Sequence, residues 1–132
     1  LGDLVKILVE PYRKAGADSL TIRGPMLRLG VNSTTHVALF IHELSTNANK
    51  YGAFSQSGGR LVVEWAIVGD VLDFHWTETG GPAMTGAPAA LGFGSKLVGL
   101  CVETQLEGDL TIQWPPIGMR LDAKIPLHAI AR

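Results

Sequence analysis

Glu43, Asn47 and Lys50 set a carboxylate, a carboxamide and an ammonium at i, i+4 and i+7. On an α-helix those positions share one face. Apolar residues at Val37, Phe40, Ile41, Leu44 and Ala48 recur with the helical period, so a helix is predicted that buries the neighbouring side. A hard divalent cation takes oxygen ligands, and a phosphate beside it takes a positive charge. The stripe supplies both within one side-chain length and would suit a metal-bound polyphosphate. The same Glu and Lys would also serve as an ordinary solvated helix face.

The elements that must position this stripe follow from period and punctuation. Residues 4–14 read as a short helix disturbed at Pro11. Residues 20–22 and 27–29 are short apolar alternations around a Gly24-Pro25 turn and are predicted as two edge strands. Asn32 or Ser33 would cap the long helix, which should run to about Tyr51 and stop at Gly52. Runs at 60–68 and 71–76 flank Gly69-Asp70, a hairpin signal. A Gly/Pro-rich stretch without apolar period follows, of the length that is usually functional or disordered inside a compact domain. Residues 94–107 return to a helical period ending at Gly108, and 110–114 with 119–125 close a strand pair around Pro115-Pro116-Ile117-Gly118. This order predicts an α+β two-layer sandwich, a mostly antiparallel sheet with about three helices on one face.

At 132 residues the chain is one domain. A charged content of 17% and a formal net charge of −1 leave no field to recruit nucleic acid or anionic lipid, so neither partner is expected. Cys101 is alone and reads as a small core hydrophobe, which excludes a disulfide within the chain. No uncharged apolar run approaches the roughly 20 residues that span a bilayer. The start at Leu1 is neither an initiator Met nor signal-like, so the chain is expected to be a piece of a longer protein, any sensor or membrane segment lying elsewhere.

The helix spelling His42-Glu43-Leu44-Ser45-Thr46-Asn47-Ala48-Asn49-Lys50-Tyr51 resembles the N box of the Bergerat-type (GHKL) ATPases. With His42 and Thr46 it looks like the HWE group of bacterial sensor histidine kinases, named for a His in this box and a Trp-x-Glu further on. Trp76-Thr77-Glu78 follows, then Gly80-Gly81-Pro82 and Gly92-Phe93-Gly94-Ser95, in the family's order. The resemblance runs from about Leu4 to Leu127. It implies a Bergerat-type catalytic domain that binds ATP with Mg2+ and donates the γ-phosphate to a histidine of a separate dimerisation domain. A response regulator would act downstream. A cytoplasmic location is implied for the domain even if the full protein is membrane-anchored, and the fragment by itself is expected to be inactive.

The resemblance assigns Asn47 to the magnesium. Glu43 stands where hydrolysing relatives keep a general base and many kinases an Asn; it would orient a metal-bound water or assist proton removal. Lys50 would meet a phosphate, and Tyr51 the sugar or base edge. Glu78, supported by Thr79 and Gly80, occupies the place of an Asp that reads adenine in the wider superfamily. It departs from that Asp by one methylene, and the box ends Gly81-Pro82. Gly92, Gly94 and Ser95 would offer phosphate donors at a helix start, with residues 79–91 as the lid over the nucleotide. Trp76 is either core or a direct contact. His42 points about 100° from Glu43, off the stripe, and is not the phosphate acceptor, which belongs to the dimerisation domain.

Other chemistries fail on spacing. The position that a zinc-protease helix needs for its second His is Thr46, and no Walker loop is present. The third Gly of a Rossmann turn is Leu97. His36, His75 and His128 are read as surface or strand histidines. Two alternatives stay open beside the kinase: an ATP-hydrolysing switch driven by Glu43, and a nucleotide-free module that docks a protein partner on the same fold.

Overall fold

The computed structural model describes residues 1–13, 19–83 and 93–132, with the backbone alone for 93–95. Five strands form one sheet in the order β1-β2-β3-β5-β4: β1 Leu20–Arg23, β2 Arg60–Val68, β3 Val71–Thr79, β4 Asp109–Gln113 and β5 Arg120–Pro126. Only β1 and β2 pair in parallel; the other three pairings are antiparallel. The helices are α1 Gly2–Val9, α2 Val31–Lys50, α3 Phe93–Gly99 and α4 Leu127–Ile130. This is the α+β sandwich that the sequence predicts.

Strand alternation makes the core. Leu61, Val63 and Trp65 of β2, Leu72, Phe74 and Trp76 of β3, and Leu121, Ala123 and Ile125 of β5 are buried on one side. Helix α2 lays Val37, Phe40, Ile41, Leu44 and Ala48 on that face, with the Phe40 and Phe74 rings 5.6 Å apart. The β2–β3 hairpin turns at Gly69, whose φ of +63 a side chain would resist.

Four expectations are corrected. Residues 27–29 form no strand: Leu27 O accepts the Leu1 amino group at 2.7 Å, and Pro25 O accepts the Trp65 indole N–H at 2.9 Å. Those carbonyls are spent on side-chain and terminal donors, and Pro25 has no N–H to offer a ladder. Helix α2 is capped by neither Asn32 nor Ser33. Its cap residue is Gly30, and the free amides of Asn32 and Ser33 donate to Arg132 O at 2.8 and 3.1 Å. A distant backbone segment has replaced the side-chain cap. The helix predicted to 107 changes at Leu100 into a π-helical turn through Gln105, where Leu106 N donates to Cys101 O at 2.9 Å. Glu107, not Gly108, takes the left-handed conformation that ends it, at φ 57. Finally, β3 continues past Trp76 to Thr79, so Glu78 is a strand residue.

Candidate functional site

Burial of the apolar stripe fixes the roll of α2 and leaves Glu43 and Asn47 half-buried and Lys50 exposed at its edge. Among the described residues none of these three side chains makes a hydrogen bond or ion pair; nearby, Thr46 Oγ1 donates to the Glu43 carbonyl at 3.0 Å, which leaves the carboxylate free. Two oxygen-bearing groups and an ammonium thus stand along one stripe without partners among the described residues. Their chemistry suits magnesium, which takes one or two protein oxygens and keeps the rest as water and phosphate. Tyr51 follows as the half-buried cap residue of α2. His42 lies off the stripe, exposed, its ring edge-on to Tyr12 with centroids 6.4 Å apart.

Glu78 lies beyond the end of α2 on the inward side of β3 and is 3% exposed. Its carboxylate is held from two directions. Oε1 accepts the Ala53 amide at 3.0 Å, and Oε2 accepts the Trp76 indole N–H at 2.8 Å. Burial pushes the Glu78 carboxyl above the usual carboxylate range, and those two hydrogen bonds pull it partly back. Glycine makes this niche possible. A Cβ on Gly52 would lie 1.9 Å from Glu78 Oε1, and one on Gly81 would lie 2.8 Å from the Gly52 backbone. The end of β3 thus closes directly onto the turn that leaves α2.

Ala53 escaped the sequence reading and Gly52 was read only as the stop of the helix, because a backbone amide and a missing side chain leave no chemical signature of a site. Trp76 and Glu78 share a side because β3 continues to Thr79, which makes them i and i+2 of one strand. Thr79, the next residue, faces the opposite side of the sheet and pairs with Arg60. Gly80 sits at φ +74 against Gly58 O. Gly94 and Ser95 fall in the first turn of α3, a helix that packs against α2. Gly92 and most of the predicted lid lie outside the described residues. Surface recesses of about 750, 440 and 460 Å3 are lined by none of the predicted site residues. The end of α2 meets Glu78 at the Gly52 turn, α3 packs against α2, and these recesses enclose none of the predicted residues.

Known proteins resemble this chain in sequence and in fold. The chain is 32% identical over 130 residues, 97% of its length, to blue-light-activated histidine kinase 1 of Erythrobacter litoralis. It is 31% identical over 121 residues to a blue-light-activated histidine kinase of Brucella ovis. It spans 36% and 24% of those two proteins. Among solved structures, the histidine kinase domain of an Erythrobacter litoralis blue-light-activated kinase superposes with a TM-score of 0.78 at 18% identity, over 98% of this chain and 64% of that one. The catalytic domain of the histidine kinase ThkA gives 0.68 at 12% identity, over 94% and 90%. No family model matches the chain. From the sequence relatives and the shared sandwich together, the chain belongs to the sensor histidine kinases, as a catalytic domain of the HWE type on the Bergerat fold.

Proposed function

We propose that this domain binds ATP with magnesium and hands the γ-phosphate to a histidine of a separate dimerisation domain, from which a response regulator would receive it. The observation that carries the reading is the stripe of Glu43, Asn47 and Lys50, without partners among the described residues, on the helix whose end meets the held Glu78 carboxylate at Gly52. Phosphoryl transfer asks little covalent chemistry of a protein; it asks for positioning and for charge to offset that on the phosphoryl oxygens. Magnesium, when bound, would supply most of that charge, with Asn47 as its protein ligand.

The remaining tasks fall to this chain's own groups. Lys50 would bring an ammonium to the triphosphate, and Glu43, one turn before Asn47, would orient water in the metal's shell or assist proton removal. Tyr51 would lie against the sugar or base edge. Gly94 and Ser95, in the first turn of α3, and Gly92 before them in the sequence would offer amides to the phosphates. Glu78 would accept the exocyclic amine of the adenine, with Gly80 leaving room beside it. In the transfer the bond from the γ-phosphorus to the bridging oxygen breaks, a phosphorus–nitrogen bond to the acceptor histidine forms, and ADP leaves.

Thermal unfolding of the 132-residue chain tests this. At ATP about ten times its dissociation constant, binding should stabilise the fold by about 1.4 kcal/mol, or roughly 5 °C. The shift should require magnesium and vanish in Asn47→Ala. No shift at millimolar Mg-ATP would overturn the proposal.

A further inference from the structure

A carboxylate selects a 6-amino purine only while it stays ionised and keeps its free acceptor directions turned toward the base. The groups facing the Glu78 carboxylate are few: the Ala53 amide from the turn after α2, and the Trp76 indole from its own strand. Among the described residues no charged side chain acts on it. A carboxylate has two acceptor directions on each oxygen. The two internal donors occupy one on Oε1 and one on Oε2, which fixes the plane of the group and leaves one direction on each. Trp76 is itself fully buried between Val63 of β2 and Leu121 of β5, its cross-strand partners, so its donor cannot wander.

From this geometry we infer that Trp76 is a positioning residue: its indole N–H fixes the Glu78 carboxylate as an acceptor for a purine's exocyclic amine and so sets the discrimination between 6-amino and 6-oxo purine nucleotides. This deepens the proposed function and rests on it for the role of Glu78. Without the indole donor, Oε2 would be buried with no partner among the described residues, and the cheapest remedy is a proton. A protonated carboxyl donates. It would then meet the O6 of a 6-oxo purine and lose its preference for an amine.

The test replaces Trp76 with Phe and, separately, with 3-benzothienylalanine, which keeps the bicyclic volume and lacks the N–H. Binding of Mg-ATP and Mg-ITP to the 132-residue chain is measured at about pH 6 and about pH 8. The unsubstituted chain should favour ATP at both. Each replacement should weaken ATP about tenfold, the loss expected for one hydrogen bond to a charged group. It should also shrink the ATP-to-ITP ratio, more so at the acidic pH. A mere core role would not produce that pH-dependent change of ratio. If the unsubstituted chain favours ATP and the benzothienyl variant keeps both its affinity and its ratio, the inference is overturned while the proposed function stands. If the unsubstituted chain binds neither nucleotide, the proposed function itself falls. Should the Phe variant fail to fold, the benzothienyl variant decides.

Discussion

Gly52 has no side chain, and its neighbours show why none fits. A Cβ there would stand 1.9 Å from Glu78 Oε1 and 3.2 Å from the Ala48 Cα. A carboxylate on a flexible stem usually steps aside at little cost, but this one is buried and held by the Ala53 and Trp76 donors. Moving it means breaking at least one of those bonds out of reach of water. Gly52→Ala is therefore expected to destabilise the fold by about 1–3 kcal/mol, the cost of leaving a buried polar group unsatisfied. It should also weaken ATP by about tenfold or more on the proposed reading. Urea unfolding and a nucleotide titration on the same preparation would measure both, and an unchanged midpoint would show that the carboxylate is not held as tightly as its contacts indicate.

Helix α2 is the element that joins the two ends of the molecule. Its last turns carry Asn47 and Lys50; its first turn is closed by the C-terminal segment. Arg132 O takes the Asn32 and Ser33 amides, Gly30 N donates to Ile130 O at 2.9 Å, and the Ser33 hydroxyl reaches the same oxygen at 2.5 Å. A Cβ on Gly30 would fall 2.0 Å from the Arg132 carbonyl carbon, a backbone atom that cannot rotate away. Gly30→Ala should therefore expel the capping segment and cost roughly 2–3 kcal/mol, more than an ordinary side-chain cap. Ser33→Ala, which removes one hydrogen bond and little volume, should cost about 1 kcal/mol. Urea midpoints would rank the two, and a Gly30→Ala loss no larger than that of Ser33→Ala would show that the close approach relaxes cheaply.

At the scale of the whole molecule the two faces of the sheet titrate in the same sense. On the outer face, the His75 ring lies between Asp122, at its Nδ1, and Asp73, 3.2 Å from its Nε2. Burial alone would lower its pKa, but the two carboxylates outweigh that and hold it above the usual histidine value. The native state then keeps a proton that the unfolded chain, with a histidine near about 6.5, gives up first. Stability from His75 is complete below that unfolded value and is lost as pH rises through the higher native one. Glu78, also raised, pulls in the same direction at lower pH, since the folded chain again binds the proton more readily. Urea unfolding at about pH 6 and about pH 8.5 should show the fold weakening toward the higher pH, with a smaller difference in His75→Gln. An equal difference in both would mean that the outer face contributes nothing.

Periodicity and turn residues determined the sandwich, the buried side of α2, the β2–β3 hairpin and the alignment of Glu43, Asn47 and Lys50, because each depends on residues within a few positions of one another. The pairing of Trp76 with Glu78 was not legible, because the strand was read to end at Trp76 and only its continuation to Thr79 sets the two on one side. Tertiary structure decided the rest. That Arg132 caps α2, that Leu27 and Pro25 spend their carbonyls on Leu1 and Trp65, and that Ala53 and Gly52 build the niche for Glu78 all depend on backbone groups, which every residue carries alike. Side-chain chemistry is written in the sequence one letter at a time. A backbone amide becomes specific only when folding sets it against its partner.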